Sequence, residues 1–217
     1  TLYYTLISSY AVPLLLFAQF GILSISKYTF PKITKNQGKK ELHQILSKAF
    51  FIASIIAACN LVISLFYAKE TLTLMYKDDS AYPIVEKIAI FYIFSYFNPL
   101  LISILQAYKQ EKKLLLCSVA SYTVTLFLVF LLTYFYGQTG FLISIIIGNI
   151  LKFSLLLFFA NKNVHFKPNI KNVLPLLLVI LLYIALNYFF KGILTLLIST
   201  LGCGLLALGL FYFLYSN

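Results

Sequence analysis

The stretch YPIVEKIAIFYIFSYFNPLLISILQAYKQEKK, residues 82–113, decides the fold class, because its apolar part is long enough to cross a bilayer. Asn98-Pro99 interrupts the run near its middle. A proline inside a helix has no N–H for the carbonyl four residues back, which here belongs to Ser95. Lipid offers that carbonyl no partner, so protein or a water-lined cavity must supply one. We therefore expect this helix to face the interior of a helix bundle, with the proline acting either as a bending point or only as a packing kink.

The composition of the whole chain agrees with a membrane protein. Of 217 residues, 61% are apolar, 18% are aromatic and only 11% are charged, and the mean hydropathy is +0.93, which is outside the soluble range. The net charge of +11 comes from lysine alone. Because the lysines fall in short loops between apolar runs, they predict topology and contacts with membrane lipids rather than nucleic-acid binding.

The pattern predicts an all-α integral membrane protein with about seven transmembrane helices. The first is interrupted by Pro13, and a basic segment after it, from Pro31 to Lys48, resembles a short amphipathic helix at the interface. An uncharged turn, Gly137 to Gly140, joins the fourth and fifth. The predicted spans cover about residues 5–30, 46–68, 82–113, 114–136, 141–160, 172–190 and 193–215.

Alternating loops predict the orientation. The loops after spans one, three and five are rich in lysine, whereas the acidic residues Glu70, Asp78, Asp79 and Glu86 lie on the other side. By the positive-inside rule the C-terminus is cytoplasmic and the N-terminus is outside. An outside N-terminus without a signal sequence leads us to expect an upstream half of the same protein.

Polar side chains inside the spans are the candidates for function, because lipid makes them costly. Lys152 lies midway along the fifth span, and Ser144, Gly148 and Lys152 form one stripe, with Asn149 beside it. A cation facing a cavity would attract an anionic group such as a phosphate or pyrophosphate; the alternative is that Lys152 snorkels to the cytoplasmic interface. Taken singly, Gln19, Asn60 and Gln106 favour hydrogen bonds between helices.

The sequence does not favour enzyme chemistry, a cofactor or a metal site. The histidines His43 and His165 lie in predicted loops without paired carboxylates or cysteines. No third acid follows Asp78-Asp79 at a useful spacing, which predicts a solvated loop. The cysteines, Cys59, Cys117 and Cys203, fall inside apolar segments and predict small buried side chains.

Three short stretches, taken in order, resemble the multidrug/oligosaccharidyl-lipid/polysaccharide (MOP) exporter superfamily, in particular its polysaccharide-export and stage V sporulation protein B-like flippases. They are FPKIT at 30–34 with its basic continuation, LQAYKQ at 105–110, and YGQTG at 136–140. The resemblance covers about residues 10–160. It implies the C-terminal half of a fourteen-helix protein: an incomplete transport lobe of five helices over 1–160 and two appended helices over 161–217.

The resemblance also implies a function. Such a protein moves a lipid-linked oligosaccharide or polysaccharide precursor, carried on undecaprenyl diphosphate, across the bacterial inner membrane by alternating access. We expect Gln19, Asn98, Gln106, Asn149 and Lys152 to line the substrate path, and Pro13 and Pro99 to act as hinges. The missing N-terminal lobe would be a partner, so this chain alone should not transport.

One departure and two alternatives stay open. In the peptidoglycan-precursor branch the helix matching the first span carries charges before its proline, whereas residues 8–12, SSYAV, are uncharged. A drug/cation antiporter of the same superfamily would need an intramembrane acid, and no Asp or Glu lies inside the predicted spans. A non-transporting assembly subunit would have its polar groups paired with one another and no cavity.

Overall fold

The chain folds as a bundle of helices, in a computed structural model that describes residues 2–35 and 39–164. No strand occurs in these ranges. The elements are α1 (Leu2–Leu6), a π-turn (Ile7–Ala11), α2 (Val12–Lys35), α3 (Lys39–Phe66), α4 (Ala68–Tyr76), α5 (Tyr82–Tyr96), α6 (Asn98–Ala107) and α7 (Glu111–Val164). The all-helical prediction is confirmed for this part of the chain.

Three helical stretches in the described part are long and apolar enough to cross a membrane: Glu41–Phe66, Tyr82–Ala107 and Glu111–Lys162. A fourth is added if the bent pair Tyr4–Phe17 and Gln19–Lys35 counts as one span. Seven spans are therefore not what the structure shows. Predicted spans four and five are the two arms of α7, which is broken at Gly137. Spans six and seven lie outside the described residues, as does Cys203.

The long helix α7 folds back on itself at Gly137, whose backbone is non-helical with φ 58° and ψ −129°. A straight helix of 52 residues would measure about 80 Å, far more than the roughly 30 Å of a hydrocarbon core. Lys152 on the second arm reaches Tyr122 on the first, with Nζ 3.1 Å from the hydroxyl oxygen. The arms, residues 111–136 and 138–164, thus lie side by side as a helical hairpin.

The first predicted span bends, but not at the proline. A π-turn directly precedes Pro13, a local adjustment by which helices accommodate the carbonyl that a proline leaves unpaired. The 48° bend lies between Phe17 and Gln19. The bend is thus displaced from Pro13 toward the side chain of Gln19, which bonds a neighbouring helix.

Two predictions about the connections were wrong. The segment at 31–48 is not a separate interfacial helix, because α2 continues through Pro31 to Lys35 and α3 begins at Lys39. Membrane-type helices tolerate an internal proline better than helices in water do. The segment after the second span, predicted as a loop, contains the short helix α4 before the turn at 77–81.

The proline-broken helix α5–α6 is the centre of the bundle. It packs against α2, α3 and α7. Its core includes Tyr96, Leu101 and Leu105, all fully buried. This central position confirms that the 82–107 helix faces the interior.

Candidate functional site

A cavity of about 370 Å³ lies between α2, the α5–α6 helix and both arms of α7. Four of the five residues predicted for the substrate path line it: Gln19, Asn98, Asn149 and Lys152. They come from α2, α6 and the second arm of α7. Residues far apart in the sequence therefore contribute polar side chains to one space.

Gln19 supplies the partner that the proline break requires. Its Nε2 donates to the Ser95 carbonyl oxygen at 3.0 Å and to the Ser95 Oγ at 3.1 Å. The carbonyl freed by Pro99 is thus met by protein, one of the two solutions that the sequence predicted. The same bonds tie α2 to α5 immediately after the 48° bend in α2.

Asn98 adds an unused acceptor to the cavity. Its side chain is 94% buried, since its relative exposure is 6%, and its Oδ1 has no hydrogen-bond partner in the described part of the chain. An unpaired acceptor at such a position is costly when it stays dry. Because the Oδ1 atom itself is buried, a ligand hydroxyl in the cavity can reach it only after the side chain moves.

Two glycines of α7 bring Lys152 to the cavity. Gly137 adopts φ 58°, which allows the fold-back. Gly148 is so close to the first arm that a Cβ there would lie 2.1 Å from Thr125 Oγ1 and 3.0 Å from Thr125 Cβ. Lys152 follows one turn after Gly148 on the same face, opposite Tyr122.

Lys152 is a cation without a counter-ion in the described residues. Its Nζ donates to the Tyr122 hydroxyl at 3.1 Å and lies 4.9 Å from the centre of the Tyr122 ring. The side chain is half-buried, and no carboxylate of the described residues forms an ion pair with it. A tyrosine is a weak partner for a full charge in a site of low dielectric. The arrangement can therefore bind an anion.

The other predicted residues have different positions. Ser144 of the stripe is fully buried and donates to the Gly140 carbonyl at 2.7 Å, away from the cavity. Gln106 lies in a neighbouring recess of about 390 Å³. Pro99 lines both spaces, whereas Pro13 lines neither. Whether the two prolines act as hinges stays a prediction.

Asn60 joins helices, as its isolated position in a span predicted. Its Nδ2 donates to the Leu15 carbonyl at 3.0 Å and to the Tyr96 hydroxyl at 2.7 Å. These bonds link α3 to α2 and α5 in the buried core.

The two aspartates in the turn between α4 and α5 pair with neighbouring residues. The Ser80 backbone N–H donates to Asp78 Oδ1 at 2.9 Å and holds the pKa of that carboxyl below its usual value. Asp79 lies 3.6 Å from Lys69. No cluster of three metal-ligating side chains occurs among residues 2–35 and 39–164.

The sequence did not single out Tyr92, Tyr122 or Thr125, which also line the cavity. A signal for Tyr122 was present: it precedes Gly137 by 15 residues, and Lys152 follows Gly137 by 15. In an antiparallel hairpin that turns at Gly137, residues equally distant from the turn lie side by side. This register pairs Tyr122 with Lys152.

No family of proteins, no curated protein and no solved structure matched this chain when it was compared with all three.

Proposed function

We propose that this chain is part of a membrane flippase for a lipid-linked saccharide, and that the cavity holds the diphosphate end of the substrate. The observation that carries the proposal is Lys152, a cation without a described counter-ion beside an open cavity between apolar helices. A lysine at such a depth is costly unless an anion or water compensates it. The diphosphate of an undecaprenyl carrier is an anion that is itself anchored in the membrane.

The remaining polar groups of the cavity suit a saccharide. Asn149 lines the cavity and also bonds the Tyr92 hydroxyl, which leaves part of its amide for a sugar hydroxyl. The ring of Tyr122 is 63% exposed and presents an apolar face beside the cation. Together these groups match a ligand that carries charge, hydroxyls and an apolar chain.

The proposed setting is the bacterial inner membrane. The basic end of the bundle, which carries Lys32, Lys35, Lys109, Lys112 and Lys113, would lie in the cytoplasm. In this proposal residues 1–160 form the transport lobe. The two arms of α7 would each be one crossing, because each is about 26 residues, or about 39 Å, long. Alternating access would move the substrate between leaflets.

A non-transporting assembly subunit is the second candidate, and one observation favours it. Gln19 and Asn60 both donate hydrogen bonds from their amide groups to neighbouring helices. Polar side chains do this when their role is only to hold a bundle together. If the chain is an assembly subunit, no polyprenyl diphosphate binds in the cavity.

Binding of a polyprenyl diphosphate distinguishes the two candidates. We expect the purified chain in nanodiscs to bind a fluorescent polyprenyl-diphosphate saccharide, and Lys152→Gln to weaken binding about tenfold, the loss typical of one charged hydrogen bond. Lys162→Gln is the matched control, because it removes an exposed lysine near the end of the same arm. Equal affinities for the wild type and Lys152→Gln would overturn the proposed site, and no measurable binding by the wild type would favour the assembly subunit.

A further inference from the structure

A second space lies next to the cavity, toward the basic end of the bundle. This recess, of about 390 Å³, is formed by the C-terminal half of α2 and by α6. Pro99 and Ile102 line both the recess and the cavity. The two spaces are therefore neighbours along one face of α6.

The recess combines free polar donors with apolar walls. Ser26 and Ser103 also line it, but their hydroxyls are already used, donating to the Pro99 and Leu100 carbonyls at 2.8 Å each. The side chains of Lys27 and Gln106 make no hydrogen bond within the described part of the chain. A cation and an amide are thus available for a ligand.

The walls of the recess are suited to hydrocarbon. Leu23 is 42% exposed and Phe30 is 37% exposed, and both line the recess beside Lys27. These three residues lie on α2 at spacings of three and four, so they share one helix face. A ligand that meets Lys27 with its charge can lay an apolar chain along Leu23 and Phe30.

The location adds a favourable electrostatic field. The recess is near the end of α2 that carries Lys32 and Lys35, and Gln106 is followed by Lys109, Lys112 and Lys113. Lys113 lies 5.8 Å from the ring centre of Phe159 on the second arm of α7, so this arm returns to the same end. Such a concentration of lysine at the end of a bundle attracts anionic headgroups.

We propose that this recess is a binding site for the phosphate-ester headgroup of a membrane amphiphile. Lys27 binds the phosphate, Gln106 donates to its oxygens, and Leu23 and Phe30 contact the chain. The ligand is either an anionic membrane lipid or the polyprenyl-phosphate carrier. The headgroup site does not depend on the flippase proposal. Only the idea that the carrier binds here first, before it enters the cavity, rests on that proposal.

A tryptophan reporter tests the site, because the chain contains no tryptophan of its own. The full chain with Phe30→Trp is placed in nanodiscs containing brominated phosphatidylglycerol or brominated phosphatidylcholine, and quenching of the fluorescence is compared. We expect phosphatidylglycerol to be preferred about five-fold, the effect of roughly one lysine at a membrane surface. Lys27→Gln should abolish the preference.

Lys32→Gln is the control, because it removes one charge from the same helix at a residue that contacts Tyr28 and does not line the recess. The preference should persist in this variant. Raising the ionic strength to about 1 M, where the Debye length is about 3 Å, should reduce the preference in the reporter protein without any change at Lys27. Equal quenching by both lipids, or equal loss with Lys27→Gln and Lys32→Gln, would overturn the site.

Unbrominated polyprenyl diphosphate distinguishes the two sources of the headgroup. Relief of quenching by a few molar equivalents of polyprenyl diphosphate would show that the carrier binds in the recess, and would support the recess as its initial binding site. Persistent quenching with a retained dependence on Lys27 would assign it to anionic lipid. Persistent quenching would therefore support the headgroup site and show only that the site does not bind the carrier. The proposed binding of polyprenyl diphosphate at Lys152 is tested separately, by the affinity of Lys152→Gln.

Discussion

At the scale of single residues, the bundle is organised by what lipid cannot solvate. The proline at 99 made it predictable from the sequence that the Ser95 carbonyl needs a partner, but not which side chain would supply it. Gln19 and Gln106 look alike in the sequence, as lone glutamines in apolar runs. Only the packing of α2 against α5–α6 separates Gln19, which bonds Ser95, from Gln106, which has no partner in the described chain.

This difference predicts unequal effects on stability. Gln19→Leu should lower the free energy of unfolding by about 1–2 kcal/mol, because it removes both bonds from Gln19 to Ser95 inside the bundle. Gln106→Leu, the same substitution at an exposed residue without a bond, should cost about 0.5 kcal/mol or less. Unfolding with denaturing detergent, followed by circular dichroism, measures both. Equal losses in the two variants would show that the bond to Ser95 contributes nothing.

At the scale of helices, the sequence predicted most of the elements and few of their junctions. Apolar runs and the turn at 137–140 were sufficient for the positions of the long helices. The continuation of α2 through Pro31 and the helix α4 were not predicted, because rules for prolines and polar loops come from helices in water. The position of the bend in α2 depends on contacts with α5, which no local pattern contains.

The hairpin of α7 is the junction on which the candidate site depends, and its register can be tested by cross-linking. In a cysteine-free background, the pair Thr125→Cys and Gly148→Cys should form a disulfide on mild oxidation, because the two Cβ positions are about 3 Å apart and a small shift reaches the usual spacing of 3.5–4.5 Å. The control pair Thr125→Cys and Ser154→Cys should remain reduced, since Ser154 is about 9 Å further along the helix. A disulfide in the control pair alone would contradict the register and separate Lys152 from Tyr122.

At the scale of the whole molecule, the central helix separates two unlike surfaces. The interface of α2 and α3 with α5–α6 is closed by buried side chains and by the bonds of Asn60 and Gln19. The first arm of α7 instead exposes large apolar residues, among them Leu116, Phe127, Phe130 and Tyr134, as a face toward lipid does. The cavity lies between these two regions, so a ligand can reach it without disrupting the closed half of the bundle.

The most direct test of the account is whether the cavity is a water-filled space that the substrate occupies. In the full chain with Cys59, Cys117 and Cys203 replaced by alanine, a single cysteine is placed at Asn149, which lines the cavity and leaves Lys152 intact. The control is Ser154→Cys, which is exposed on the outer face of the same arm. Each variant is labelled with a membrane-impermeant thiol reagent from each side of the membrane. We expect labelling at 149 that polyprenyl diphosphate blocks, and no labelling at 154. Absence of labelling at 149 from both sides, or labelling that polyprenyl diphosphate leaves unchanged, would contradict it.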